Sequence, residues 1–166
     1  CSTEYPENFS FLRTPPEMRV VRSIGQGQFI SVFSKKGPPD YILSYEGTTI
    51  LADAKEVRTH RFPYSNLHWN QANHFERWEK SGNECAIIIR FTDSSYTNED
   101  FIVPWSEIRG RWMEWNERRR MGESIERGGG SISKEEISKI SFKFTSNNFM
   151  DSIKEMVESL GFEHED

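Results

Sequence analysis

The stretch "PPDYILSYEGTTILADAKE", Pro38 to Glu56, reads as two short strands joined near Gly47, yet it carries Asp40, Asp53 and Lys55 where an apolar, β-branched pattern ought to exclude charge. Side chains alternate faces along a strand, so Asp53 and Lys55 share one face while Ala54 and Glu56 take the other. A two-residue turn at Glu46-Gly47 sets Asp40 directly opposite Asp53. A turn at Gly47-Thr48 sets it opposite Lys55. Either even-length hairpin gathers all three groups on one face, where opposed residues sit about 5 Å apart at Cβ.

Two carboxylates that close repel, and the pair is stabilised by a proton or by a counter-charge. A divalent cation is the natural counter-charge: two aspartates, a backbone carbonyl and several waters make a hard oxygen shell that suits Mg²⁺. A lysine beside it can steady or help deprotonate a water that attacks phosphorus. That chemistry is phosphodiester hydrolysis. The triad alone leaves a second reading open, an exposed hairpin with a Lys55–aspartate salt bridge on a solvated face.

Outward from the hairpin, strands and helices interleave without repeats, which predicts an α/β domain with a mixed sheet covered by helices. "RVVRSI" and "QFISVFS" read as strands around a "GQGQ" turn, and "CAIIIRF", "DFIVPW" and "KISFKF" as three more. Leu67, Gln71, His74, Phe75 and Trp78 recur at helical spacing until Gly82. Trp105, Ile108, Trp112 and Trp115 form the apolar stripe of a second helix, as core or dimer contacts. Ser133 and Glu136 have capping-box spacing, and an amphipathic helix from about Asn148 to Leu160 follows. Residues 1–18 lack either periodicity and read as an N-terminal arm, with residues 19–166 as one domain ending in an acidic helix and tail.

The later segment "FPYSNLHWNQANHF", Phe62 to Phe75, is specific. With Pro39-Asp40 and Asp53-Ala54-Lys55 it resembles the PD-(D/E)xK nuclease superfamily, and within it the RecU-type Holliday junction resolvases, which have a Phe-Pro pair followed by a helix with an H-x-x-Q core. "GNECAIIIRF", the arginine run and "SISKEEI" are similar too, so the resemblance runs collinearly from about Lys36 to Ile137. It implies a restriction-endonuclease-like fold and a Mg²⁺-dependent DNA endonuclease, with Mn²⁺ as a substitute. Asp40 and Asp53 match the metal carboxylates, Ala54 would lend its carbonyl, Lys55 matches the active-site lysine and Gln71 a glutamine close to the metal. A homodimer acting on branched DNA is implied as well, in the cytoplasm of a bacterial, phage or viral setting. The family's N-terminal helix and basic stalk find no match between Cys1 and Lys36. A site-specific duplex endonuclease on the same core, or a catalytically silent DNA-binding domain, is the alternative.

Arg58 and Arg61, just beyond the catalytic strand, are candidate phosphate contacts, and His68 a helix-orienting or DNA-contacting residue. Arg118, Arg119 and Arg120 with Gly128–Gly130 read as a basic, flexible segment able to clamp a DNA backbone, or as cations favoured at a helix C-terminus. Of His60, His68, His74 and His164, the two on the predicted helix, His68 and His74, are six residues apart and do not share a face well, which argues against zinc.

Composition is consistent with these expectations. The chain has 166 residues and a net charge of −5, but residues 151–166 hold six acidic groups against Lys154 alone, leaving 20 basic and 20 acidic groups balanced before them. The acidic excess is therefore C-terminal, and basic patches remain available to a nucleic acid. The longest aliphatic run, Ala86–Ile89, is far short of the roughly 20 residues a membrane helix needs, and no signal-peptide pattern opens the chain. A soluble intracellular protein is expected, and since the sequence starts at Cys1 it is open to being a processed form or a piece. Cys85 lies in an apolar strand pattern, and two cysteines predict neither a disulfide framework nor a zinc site.

Overall fold

The hairpin expected from Pro38–Glu56 lies in the middle of the main sheet. The computed structural model describes residues 9–14, 18–25, 28–33, 39–45, 47–92, 98–126, 128–145 and 147–161. Within them the strands are Phe9–Arg13 (β1), Met18–Gly25 (β2), Gln28–Phe33 (β3), Tyr41–Tyr45 (β4), Thr48–Val57 (β5), Arg61–Pro63 (β6), Glu84–Thr92 (β7), Asn98–Pro104 (β8), Ser131–Ser133 (β9) and Phe142–Phe144 (β10). The helices are Trp69–Glu79 (α1), Trp105–Arg120 (α2), Lys134–Ile137 (α3) and Phe149–Gly161 (α4), with one 3-10 turn at Tyr64–Asn66.

Six strands form a mixed sheet in the order β1-β4-β5-β7-β8-β10. All its neighbours run antiparallel except β5 and β7, which are parallel and joined through α1. A parallel pair needs such a crossover, whereas antiparallel neighbours can be joined by short turns. The β4–β5 register pairs Tyr45 with Thr48 and Tyr41 with Ala52. That is the first of the two turns considered, and Gly47 takes φ 86°, a left-handed conformation that favours glycine. The sheet divides two cores. On one face Leu51, Cys85, Ile87, Ile89, Phe101 and Val103 pack with Phe75 of α1 and Trp105, Ile108 and Trp112 of α2. On the other, Leu43, Ile50, Ala52, Ala86 and Ile102 pack with Ile153 and Met156 of α4. This is a restriction-endonuclease-like architecture, a mixed sheet flanked by helices.

Several expectations need correction. Phe9–Arg13 is a strand at the sheet edge, paired with β4 along its length, where the sequence offered no periodicity. Sequence alternation does not mark it because it acquires a partner only some thirty residues later. α1 begins at Trp69, since Tyr64–Asn66 turns as a 3-10 segment first. β6 and β9 form a small sheet that the sequence did not suggest, three residues being too short for alternation to register. The Trp105, Trp112 and Trp115 stripe is buried within this chain and is core, not an apolar surface for a partner. β2 and β3 form a ribbon of their own, separate from the main sheet, in the chain position where the resemblance implies a stalk. Among the described residues no helix is long and apolar enough to cross a membrane.

Candidate active site

Beyond Tyr41 strand β4 stops, and the chain bends at Asp40. The side chain of Asp40 turns back onto β5, where its Oδ2 accepts the Ala54 N–H at 3.0 Å. In a strand the N–H and C=O of one residue face the same edge, so the Ala54 carbonyl faces this edge too. Pro39, just ahead of that bend, has no N–H to give. The Pro-Asp pair therefore leaves one carboxylate and one carbonyl together at the end of β4. Their backbone is braced from β1: Thr14 N donates to Asp40 O at 2.8 Å, and Thr14 Oγ1 donates to Pro39 O. Thr14 is a positioning residue that sequence reasoning missed, for the same reason it missed β1.

Asp53 lies on the α1 side of the sheet and is fully buried. Its Oδ2 is 2.6 Å from Lys55 Nζ, and its Oδ1 accepts from Gln71 Nε2 at 2.5 Å. Each Asp53 oxygen thus has one close protein partner, the Lys55 ammonium at Oδ2 and the Gln71 amide at Oδ1. Gln71 Oε1 accepts from Lys55 Nζ at 3.3 Å and from the His68 backbone N–H at 3.1 Å. One amide thus ties the first turn of α1 to both charged groups on β5. Gln71 is itself buried, which for an uncharged polar side chain is satisfied by these three bonds. His68 is the N-cap of α1 and enters the site through its backbone.

Burial pushes the Asp53 carboxyl up to about 6; the Lys55 ammonium opposes that rise, and the charge of Asp40 adds to it. A buried carboxyl with a raised pKa, a second carboxylate and a carbonyl nearby form a donor set of hard oxygens. That set fits a divalent cation of the Mg²⁺ class. No group of three or more His, Cys, Asp and Glu side chains converges among the described residues, so two carboxylates are what the side chains offer.

The arginines lie apart from this cluster. Arg58 is exposed and 3.9 Å from Glu56. Arg61 donates to Ser131 Oγ, Ser131 O and Gly128 O, joining the β6–β9 sheet to the glycine turn. Arg118 pairs with Glu123 at 3.0 Å, and Arg119 lies over the Trp115 ring. Arg120 ends α2 and is exposed. The Gly128–Gly130 segment forms a hydrogen-bonded turn, with Gly130 O accepting from Tyr64 N at 2.9 Å. A Cβ at Gly130 would sit 3.1 Å from Trp115 Nε1, so any larger residue there would need the indole to give by a few tenths of an ångström.

A mixed sheet whose hairpin sets two aspartates and a lysine beside a helix glutamine defines the restriction-endonuclease-like class with a PD-(D/E)xK site. Comparison with known families narrows this: the model described as RecU, Recombination protein U, matches residues 16–155. The chain belongs to the RecU family. It is similar to the Holliday junction resolvase RecU of Ligilactobacillus salivarius, 30% identical over 112 residues, covering 67% of this chain and 46% of that protein. It is also similar to those of Bacillus pumilus, 33% identical over 106 residues with 63% and 45% covered, and Pediococcus pentosaceus, 37% identical over 81 residues with 48% and 39% covered. The matches thus span less than half the length of these relatives.

Proposed function

We propose that this chain is a divalent-metal-dependent DNA endonuclease that prefers branched DNA and acts as a homodimer. The observation that carries the reading is the fully buried Asp53, paired with Lys55 and Gln71 and close enough to Asp40 for that carboxylate's charge to raise its pKa. Asp40, Asp53 and the Ala54 carbonyl would hold Mg²⁺ or Mn²⁺, which supplies Lewis-acid stabilisation of the negative charge that develops on phosphate oxygens. Lys55 holds a proton at Nζ, from which it can donate to the attacking water or to a non-bridging phosphate oxygen. Gln71 keeps Lys55 and Asp53 in one arrangement, so little reorganisation is required when the phosphodiester arrives. Arg58 and the arginines at the end of α2 contribute phosphate contacts. The names of the relatives support branched DNA as the substrate. A two-fold dimer presents two sites to two symmetry-related strands. The β2–β3 ribbon, with Arg19 and Arg22 in its sequence, takes the part of a stalk.

The test is cleavage of matched four-way junction, flap, duplex and single-stranded DNAs with Mg²⁺, Mn²⁺ or Ca²⁺. Cutting of the junction with Mg²⁺ and Mn²⁺, and binding without cutting in Ca²⁺, is the expected result. Calcium's larger, looser shell places a water less well for in-line attack. Efficient cutting of linear duplex at one sequence without junction preference would assign the chain to a site-specific endonuclease instead. Binding without cutting in every ion would make it a silent DNA-binding domain.

A further inference from the structure

Trp69 is the first residue of α1 and 51% exposed, whereas Trp105, Trp112 and Trp115 are buried and Trp78 is partly buried. An indole in water forgoes the burial that normally fixes its position. This one is fixed by another route. It stacks on Trp112, with centroids 5.7 Å apart and planes 15° from parallel. Trp112 is 1% exposed, donates from Nε1 to the buried Tyr64 carbonyl at 3.1 Å, and contacts Trp105 and Trp115. One face of Trp69 is therefore anchored on a rigid aromatic cluster, and about half of the side chain is left to solvent.

The position of that surface matters. Gln71, in the same helical turn, reaches Asp53 Oδ1 and Lys55 Nζ, and its Oε1 also accepts from the His68 backbone N–H. Beside it on α1, Asn70 and His74 are exposed, and the first acidic residue of the helix, Glu76, accepts from Trp105 Nε1 at 2.9 Å and lies 3.9 Å from Arg109. A flat π-face held in place by ring stacking suits a nucleobase, because stacking tolerates every base and the duplex supplies an unstacked one only where it is interrupted.

We infer that Trp69 is a stacking platform for an unstacked base at the branch or discontinuity of the DNA, on the same first turn of α1 that carries Gln71. The inference rests on the nuclease reading above and adds to it a residue that favours branched over continuous DNA. Loss of this one stack would weaken junction binding by about tenfold while changing linear duplex binding by less than about threefold, since phosphate contacts dominate the latter.

The experiment measures binding in Ca²⁺ at near-physiological salt, using a four-way junction with 2-aminopurine at the branch, a matched linear duplex, and the full chain as wild type, Trp69→Ala and Trp69→Phe. Wild type should quench 2-aminopurine, Trp69→Ala should lose both the quenching and the junction preference, and Trp69→Phe should restore most of both. Circular-dichroism melting of each variant separates a folding loss from a binding loss, and the Phe variant retains an aromatic ring for Trp112 to contact. Unchanged quenching and junction affinity in Trp69→Ala would overturn the assignment. So would equal losses on junction and duplex, or a change in sedimentation coefficient marking Trp69 as a contact between copies. Wild-type cleavage with Mg²⁺ is measured in parallel: its absence on every DNA refutes the nuclease reading, whereas cleavage without a Trp69 effect refutes only the platform.

Discussion

A buried carboxylate lacking a full set of donors can be stabilised by a proton or by a cation, and at Asp53 the two compete. Its folded pKa is raised to about 6, chiefly by burial. An unfolded aspartate titrates near 3.9, so between about pH 4 and pH 6 the folded metal-free protein binds more protons than the unfolded chain. Stability from this group is then full below about pH 4 and lost as pH rises through about 6, a change of at most about 3 kcal/mol. The difference in melting temperature between wild type and Asp53→Asn, measured without metal from pH 4 to 8, should grow in favour of the variant as pH rises. Mg²⁺ affinity by calorimetry should climb with pH to about 6 and then level off. On catalysis, Asp53→Asn should lower cleavage by about a thousandfold or more, as expected when several kcal/mol of charge stabilisation are removed, with DNA binding in Ca²⁺ retained. Lys55→Ala should lose cleavage but keep metal affinity, because the amine acts on water or phosphate and is no ligand. Loss of metal binding in that variant would reverse its role. Asp40, Asp53 and Lys55 were legible from period-two alternation and hairpin arithmetic alone. Gln71 was legible only through resemblance, since nothing in helical spacing says that an amide will reach a strand carboxylate.

Among the elements, those with long local periodicity are the ones the sequence announces. β4, β5, β7, β8, α2 and α4 alternate or repeat over enough residues for one face to stand out. β1, β6 and β9 do not, and their partners are remote: β1 pairs with residues 41–45, and β6 with β9 across some seventy positions. That difference has a functional consequence, because Thr14 at the end of β1 holds the Pro39–Asp40 bend. Thr14→Val deletes the Oγ1 bond and should cost about 1 kcal/mol of stability while weakening Mg²⁺ affinity severalfold. Thr14→Ser should restore both in calorimetry and melting. At α3 the capping box is complete: Glu136 N donates to Ser133 Oγ, and Ser133 N donates to Glu136 Oε2. Ser133→Ala should therefore cost about 1 kcal/mol, or a few degrees of melting temperature. Cleavage per folded molecule should be unchanged.

In the whole molecule, the sheet separates two tasks. One face carries Asp53 and Lys55 against α1 and α2; the opposite face is closed by α4, whose Ile153 and Met156 are fully buried. Composition foretold the size and the acidic C-terminus, but not which face the charges of β5 would meet, since that depends on which helix crosses where. The arginines show the same limit: their number was readable, but their ties to Glu123, Ser131 and Gly128 are set by tertiary structure. Cleavage of a four-way junction and its matched linear duplex, by wild type and Asp53→Asn in Mg²⁺ near physiological salt, tests the central claim most directly. Metal-dependent cutting by wild type that favours the junction, abolished in the variant although it still binds the junction in Ca²⁺, is the predicted result; cutting by Asp53→Asn at the wild-type rate would contradict it.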